Sequence, residues 1–534
     1  MLRIGRSPDD LPEPSLVSRT NSAERLRYDA PRDVYRRRIG LGHARFVALM
    51  LLGLTGCAVG PDYVPTTIAS PQRWAGAPAQ QAAPAPTEWW RQFGDPTLNG
   101  VVSEAVSGNL DVAQAKGRIR EARASRAQAI GALFPQVDAG ASATRSRSGS
   151  VTGSSFRSGF DASWELDLFG ARDRAIEAAT YGADAAEDDL DSVLLTLIGD
   201  VASTSIEVRG LQLRLALARR TVQTQRDTLG LTKARFQAGD ASAVDTARAE
   251  SQLATTQAQI PSLESTLAET LHRLAVLAGR PPSAMAGRFA GSPRMPSAAA
   301  PPRAGIPADV LRRRPDVRRA ERGLAQATAR IGQAEATRYP AISLTGSIST
   351  SALKLGDLAK NSAIGWSFGP SLSVPIFNGG ELAAAVDVAR AQRDQSDAAF
   401  RLAVLTALQD VEDQLVGLRQ ERLRLASLSR AAAASTEAAR LSRALYASGG
   451  TSFLDVLDAE RSQYSAEDSV IQSRIALATR FIALNKALGG GWLRPVDVSQ
   501  PSVADRETGP RLRLLATEPA PEQPLEQTRE YPRP

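Results

Sequence analysis

Two hydrophobic periods divide this chain. Between residues 194 and 236 an apolar side chain returns at every seventh position, at Leu194, Val201, Val208, Leu215, Val222, Leu229 and Phe236, and the same step recurs at Val404, Val411, Leu418, Leu425, Ala432, Ala439 and Tyr446. A sustained seven-residue repeat keeps one seam of a helix against a neighbour and winds the pair left-handed. The spacing therefore predicts long coiled helices, the first over residues 171 to 238, a rod of roughly 100 Å at about 1.5 Å per residue. Return helices keep step at Leu253, Ile260, Leu267 and Leu274, then at Val470, Leu477 and Leu484. Pro261 predicts a kink in the first of these, because an interior proline costs about 3 kcal/mol. Neither return helix matches the long one in length, so the helix at 243 to 278 is expected to stack end to end with a shorter one at 309 to 338.

The second period is two. Phe160, Ala162, Trp164, Leu166 and Leu168 alternate with Asp161, Ser163, Glu165 and Asp167. Ile342, Leu344 and Ile348 alternate with hydroxyl residues, and Ile364, Trp366, Phe368, Leu372 and Val374 with mostly small polar ones, while Val137, Ala139, Ala141 and Ala143 form a weaker fourth case. Alternation of this kind makes a strand with one oily and one polar face. Each run is about the 9 to 11 residues that cross a membrane when tilted. A half-buried sheet on a soluble domain is the ordinary source of such strands, yet nothing else in the chain is amphipathic in a shape that would cover this one. Pro370 falls on the apolar face of the last strand and predicts an edge or irregular position there.

Both periods occur twice because the chain is duplicated. Arg235-Phe236-Gln237-Ala238-Gly239 through Asp245 and Glu250 matches Leu445-Tyr446-Ala447-Ser448-Gly449 through Asp455 and Glu460, and Phe134-Pro135 matches Tyr339-Pro340. The organisation expected is a leader at 1–56, an extended segment at 57–97, a first repeat at 98–280, a Pro-rich connector at 281–308, a second repeat at 309–495 and a polar, disordered tail at 496–534. The fold class expected is mainly α with a small β part.

Composition narrows the chemistry. One cysteine and two histidines in 534 residues exclude a disulfide framework and Cys- or His-rich metal sites, so no metal or other cofactor is expected. His272 lies in a heptad-bearing helix, acids such as Asp188 and Asp189 fall within helix patterns, and no Ser/His/Asp set can be assembled, so an enzyme is not expected. The net charge of +7 is concentrated at the front, where residues 1 to 56 carry ten arginines against six acids. The remainder has no basic patch and gives no reason to invoke nucleic acid. Arg36-Arg37-Arg38 precede the apolar run Phe46 to Leu54, which ends in Leu54-Thr55-Gly56-Cys57. That is a secretory leader with a small-residue cleavage site, and it resembles a lipobox, which implies a covalent lipid on Cys57. By analogy with lipoprotein sorting, Ala58 rather than Asp after the cysteine favours the outer membrane. Residues 1 to 33 look like neither signal nor folded domain, and translation is expected to begin downstream, near Val34.

Four strands cannot close a barrel, for which about eight are the minimum, and an open sheet in lipid leaves backbone groups unpaired. The chain must pool strands with copies of itself, and three copies give twelve. Cys57-Ala58-Val59-Gly60-Pro61-Asp62-Tyr63-Val64-Pro65, Trp89-Trp90 with Phe93 and Asp95-Pro96, and the duplicated aromatic and glycine tips together resemble TolC-like outer membrane factors, specifically the NodT-type lipoproteins of RND efflux pumps. The resemblance implies a homotrimer with a twelve-stranded outer-membrane β-barrel and a periplasmic α-barrel, an exit duct that conducts small molecules passively. It further implies a periplasmic adaptor and an inner-membrane RND-type transporter as partners. By the same resemblance Leu454 and Asp458 fall at the periplasmic gate. They are four apart, hence on one helix face, and threefold symmetry would make each a ring. Arg235, Gly239, Ser448 and Gly449 lie at the tips where an adaptor would touch. A duct for a type I protein-secretion system, and a non-channel trimeric coiled-coil lipoprotein, remain as alternatives.

Overall fold

The computed structural model describes residues 58–65, 71–75, 87–291, 293–297, 304–491 and 496–499. Cys57, the leader before it and the tail from residue 500 lie outside them. Each repeat begins with short helices. In the first, α1 (Pro96–Gly108) starts at an Asp95 cap that accepts the Thr97 and Leu98 N–H groups, and α2 (Leu110–Gly131) starts at Asn109, whose side chain caps Asp111 and Val112. Strands β1 (Gln136–Ser148) and β2 (Val151–Leu166) lead to the long α3 (Ala171–Gln237) and the return helix α4 (Ala243–Leu277). The second repeat has α5 (Pro307–Arg313), α6 (Pro315–Ala336), β3 (Ala341–Ala352), β4 (Ile364–Ser373), α7 (Glu381–Ala447) and α8 (Phe453–Ala487). The long and return helices have identical lengths in the two repeats, 67 and 35 residues. Helix α4 continues through Pro261 without interruption.

The end-to-end stacking differs from the expectation. The C-terminus of α4 meets α2 of its own repeat, where Asn109 Nδ2 donates to the Leu277 carbonyl at 3.0 Å. In the second repeat Arg314, the residue that precedes α6, donates to the Ala487 carbonyl at the end of α8. Length arithmetic could not reveal which ends meet; the caps decide it. Contact is close enough to require glycine: a Cβ on Gly279, whose φ is +69°, would lie 2.0 Å from the Gly108 carbonyl oxygen.

The largest core surrounds these joints. Trp89, Trp90, Phe93, Leu98, Ile198, Ile206 and Phe481 form a buried belt around the middle of the long helices. The heptad seam holds from Leu194 to Val222 and at Val404, Val411 and Leu418, all buried. It fails at Phe236, which is 46% exposed while its repeat partner Tyr446 is 3% exposed.

The strands form one antiparallel sheet in the order β1-β2-β3-β4, with β1 and β4 at its edges. Pro370 sits in edge strand β4 opposite Leu344. The register aligns Ala139, Phe160, Ile348 and Trp366 across one face. The other face aligns Asp138, Asp161, Ser347 and Ser367. Phe160, Trp366, Phe368 and Leu372 are all more than half exposed, an oily face that nothing within the described residues covers. No helix among the described residues is long and apolar enough to cross a bilayer.

Candidate functional site

The two helical hairpins end in nearly the same chemistry. At the α3–α4 tip Gly239 has φ +87°, and Asp240 N–H bonds back to the Arg235 carbonyl; at the α7–α8 tip Gly449 has φ +83°, and Gly450 N–H bonds to the Leu445 carbonyl. These are left-handed helix stops that glycine adopts without a Cβ clash. Each return helix then opens with a reciprocal capping box, Ser242 with Asp245 and Ser452 with Asp455. Hydrogen bonds from the Thr451 and Ser452 hydroxyls hold the Asp455 carboxyl below the usual range.

The tips are tied to each other by side chains. Arg235 bonds the Tyr446 carbonyl and lies 4.7 Å from the centre of the Tyr446 ring. Tyr446 in turn packs on Phe453, and its hydroxyl meets Thr232. Ala249, Tyr446, Phe453, Val456 and Leu457 make a small core of their own. Arg235 is therefore turned inward across the tips, while Gly239, Ser448 and Gly449 are exposed.

Burial of Phe453, Val456 and Leu457 leaves the opposite face of α8 outward. Leu454 is 53% exposed, and Asp458, one turn on, is exposed beside it. The structure thus brings this pair together on one free face of the tip. Just inside it lies Glu460, 5% exposed, which accepts from the Thr228 hydroxyl at 2.9 Å and faces Arg443 at 3.4 Å. Glu460 and Arg443 border a polar cavity of about 120 Å³ that is also lined by Gln225 and Tyr464. Burial pushes the Tyr464 hydroxyl up, and the charge of Asp468 adds to the rise. Sequence reasoning missed this cluster. In the duplicated alignment Glu460 matches Glu250, which is a surface acid paired with Lys233, so the motif carried no sign of burial.

A second constellation lies where β2 passes into α3. Val59 N–H donates to the Phe169 carbonyl. Arg174, with its side chain 7% exposed, reaches the carbonyls of Val59 and Gly60 and the carboxylate of Asp62. Tyr63 completes the strap with a bond to Glu321. The backbone that follows Cys57 is thereby held at the junction of sheet and helices.

With the sheet, the tips and the strap placed, comparison with known proteins gives a single direction. The family described as outer membrane efflux protein matches residues 101–280 and 306–490, one segment in each repeat. The chain belongs to the outer membrane efflux protein family. Nodulation protein T of Rhizobium leguminosarum bv. trifolii is 36% identical over 450 residues, which is 82% of this chain and 95% of that protein. The pyoverdine export outer membrane protein OpmQ of Pseudomonas aeruginosa is 33% identical over 465 residues, 83% of this chain and 96% of that protein. The solved outer-membrane channel OprN superposes with a TM-score of 0.76 at 35% identity, across 82% of this chain and 100% of that one. The efflux channel therefore resides in the outer membrane with a periplasmic helical extension, and its four-stranded sheet is one third of a trimeric twelve-stranded barrel. The oily face of the sheet is the one suited to lipid, and the face with Asp138 and Asp161 the one suited to a water-filled lumen.

Proposed function

We propose that this channel is the exit duct of a tripartite efflux assembly, closed at its periplasmic end by rings of Leu454 and Asp458. A periplasmic adaptor engages the exposed tips at Gly239, Ser448 and Gly449, and an inner-membrane RND-type transporter supplies the substrate. Arg235 acts through the tip-to-tip tie, where it sets the angle at which the hairpins are presented. The observation that carries the gate is the split of α8 into a packed face and a free face with Leu454 and Asp458 together on the free one. In a threefold assembly three carboxylates converge, attract cations and repel one another, so closure is marginal and biased by contacts at the tips. Efflux is favoured over protein secretion by the relative OpmQ, a pyoverdine export outer membrane protein.

Planar-bilayer recording tests the gate. Replacement of both residues, Leu454→Ala with Asp458→Ala, should raise resting conductance about fivefold or more and weaken cation preference. Unchanged conductance and selectivity would place the constriction elsewhere.

Cys57 is proposed as a lipid anchor because the strap that follows it ends at the foot of the barrel, within reach of the inner leaflet. More than one acyl chain is needed for stable anchoring. The mature protein should begin at Cys57 with a mass raised by a diacylglyceryl group and an amide-linked acyl chain. Cys57→Ser should lose that increment, and an unmodified cysteine in the membrane-extracted protein would refute the anchor.

A further inference from the structure

The lipid-facing side of β1 does not remain oily to its end. Counted from the helices, that face runs Val137, Ala139, Ala141, Ala143 and then Arg145 and Arg147. Sequence alternation alone ends the apolar run at Ala143, but the strand continues to Ser148, and the pleat keeps both arginines on the same side as the alanines. Across the ladder Arg145 lies opposite Ser154 and Arg147 opposite Thr152.

Their height relative to the membrane follows from the register. Strand β3 ends level with the Ala143 and Phe156 pair, since Phe156 is opposite Ala352. From Leu166 to Phe156 the strand rises about 33 Å along its own axis, which at a tilt near 40° is a band about 25 Å tall, the height expected of a barrel's apolar belt. Arg145 and Arg147 stand two and four residues beyond that band, about 5 and 10 Å higher, at the depth of the outer headgroups. Both are exposed. Arg147 Nε donates to the Gly149 carbonyl at 3.2 Å, which fixes its guanidinium at the hairpin end.

The charge here is unbalanced. No acid occurs between residues 139 and 160, and the neighbouring β3–β4 loop adds Lys354 and Lys360 against the single Asp357, which is paired with Lys360. Thr152 and Ser154 add hydroxyls beside the guanidiniums. A guanidinium fork matches phosphate geometry and is weakly hydrated, which suits a site half in lipid. We infer that Arg145 and Arg147 form a binding site for the phosphate groups of an anionic glycolipid in the outer leaflet, three sites per trimer. The site rests only on the outward orientation of this face, which a substitution at Phe160, argued below, tests separately. It is independent of the gate.

The test is native mass spectrometry of the full-length trimer in detergent, titrated with bis-phosphorylated lipid A, with the same lipid after phosphate removal, and with inorganic phosphate as competitor. The wild-type trimer should retain the phosphorylated lipid at up to three copies. The pair Arg145→Gln and Arg147→Gln should reduce retention about tenfold or more, whereas Arg157→Gln, on the lumen face of β2, should leave it unchanged. Equal retention by the double variant, or by the wild type with dephosphorylated lipid, overturns the site. Displacement by low-millimolar inorganic phosphate also overturns it, because the ligand is then a soluble anion. Should the double variant fail to trimerise, the dephosphorylated lipid on the wild type still decides.

Discussion

Phe160→Arg is expected to abolish the heat-stable trimer. Phe160 sits near the middle of the longest strand, on the oily face, opposite Ala139 on one side and Ile348 on the other, and is 57% exposed in the protomer. An arginine on the lipid face at the bilayer midplane costs about 2 to 4 kcal/mol. The trimer places three such residues in one barrel, so the low end of the total is about 6 kcal/mol, roughly four powers of ten in the assembly equilibrium. The neighbouring Asp161→Arg supplies the control. It faces the lumen beside Asp138 and Ser347, so it should retain the trimer and instead reduce cation preference in single-channel recordings. The trimer band on unheated gels measures the first effect. A Phe160→Arg trimer as heat-resistant as the wild type would mean that this face does not meet lipid, and the assignment of lumen and exterior would reverse.

How far the sequence could be read depended on whether a residue's neighbour was local or distant. The seven-residue step located the long helices because Leu194, Val201, Val208, Leu215 and Val222 are all buried along one seam. At the tip the same step misleads. Phe236 continues the count but is exposed, whereas Tyr446 is buried against Phe453 and bonded to Thr232. Two copies of one pattern have diverged in role, and periodicity is blind to that. The alternation signal was equally local: it found the alanines of β1 and lost the strand at Arg145, where polarity changes but the pleat does not. The glycine stops of both tips were legible because a left-handed helix end makes a demand on one residue. Glu460 was not, because its burial depends on Thr228 and Arg443, which come from other helices.

Arg314→Ala should be the most destabilising single change among the helix joints. Arg314 occupies in the second repeat the place that Asn109 holds in the first: each precedes a short helix and donates to the last carbonyls of a return helix. Asn109 makes neutral bonds, and its loss should cost about 1 to 2 kcal/mol through the cap and the buried carbonyl. Arg314 carries charge. Its side chain is 9% exposed, and it joins Asp316 on α6 to Asp410 on α7. Removal of one partner of a buried pair costs about 3 to 5 kcal/mol. Here Asp316 and Asp410 are 39% and 46% exposed, and solvent softens the loss, so about 2 to 4 kcal/mol is expected. The pH dependence separates charge from packing. Burial raises the Asp316 carboxyl, but the hydrogen bond and charge of Arg314 outweigh it and hold the carboxyl below the ordinary range. A carboxyl depressed in the folded state adds stability that is present above its unfolded value near pH 4 and is lost as pH falls through the folded one. The gap between wild type and Arg314→Ala, read from guanidinium unfolding of the trimer, should thus be full at pH 7 and narrow below about pH 4. Arg314→Met keeps most of the buried volume and none of the charge, so it should behave like the alanine variant in this pH profile. A gap that is the same at pH 7 and pH 3 would assign the joint to packing alone, and the ion pair would then be incidental to how the second repeat is held together.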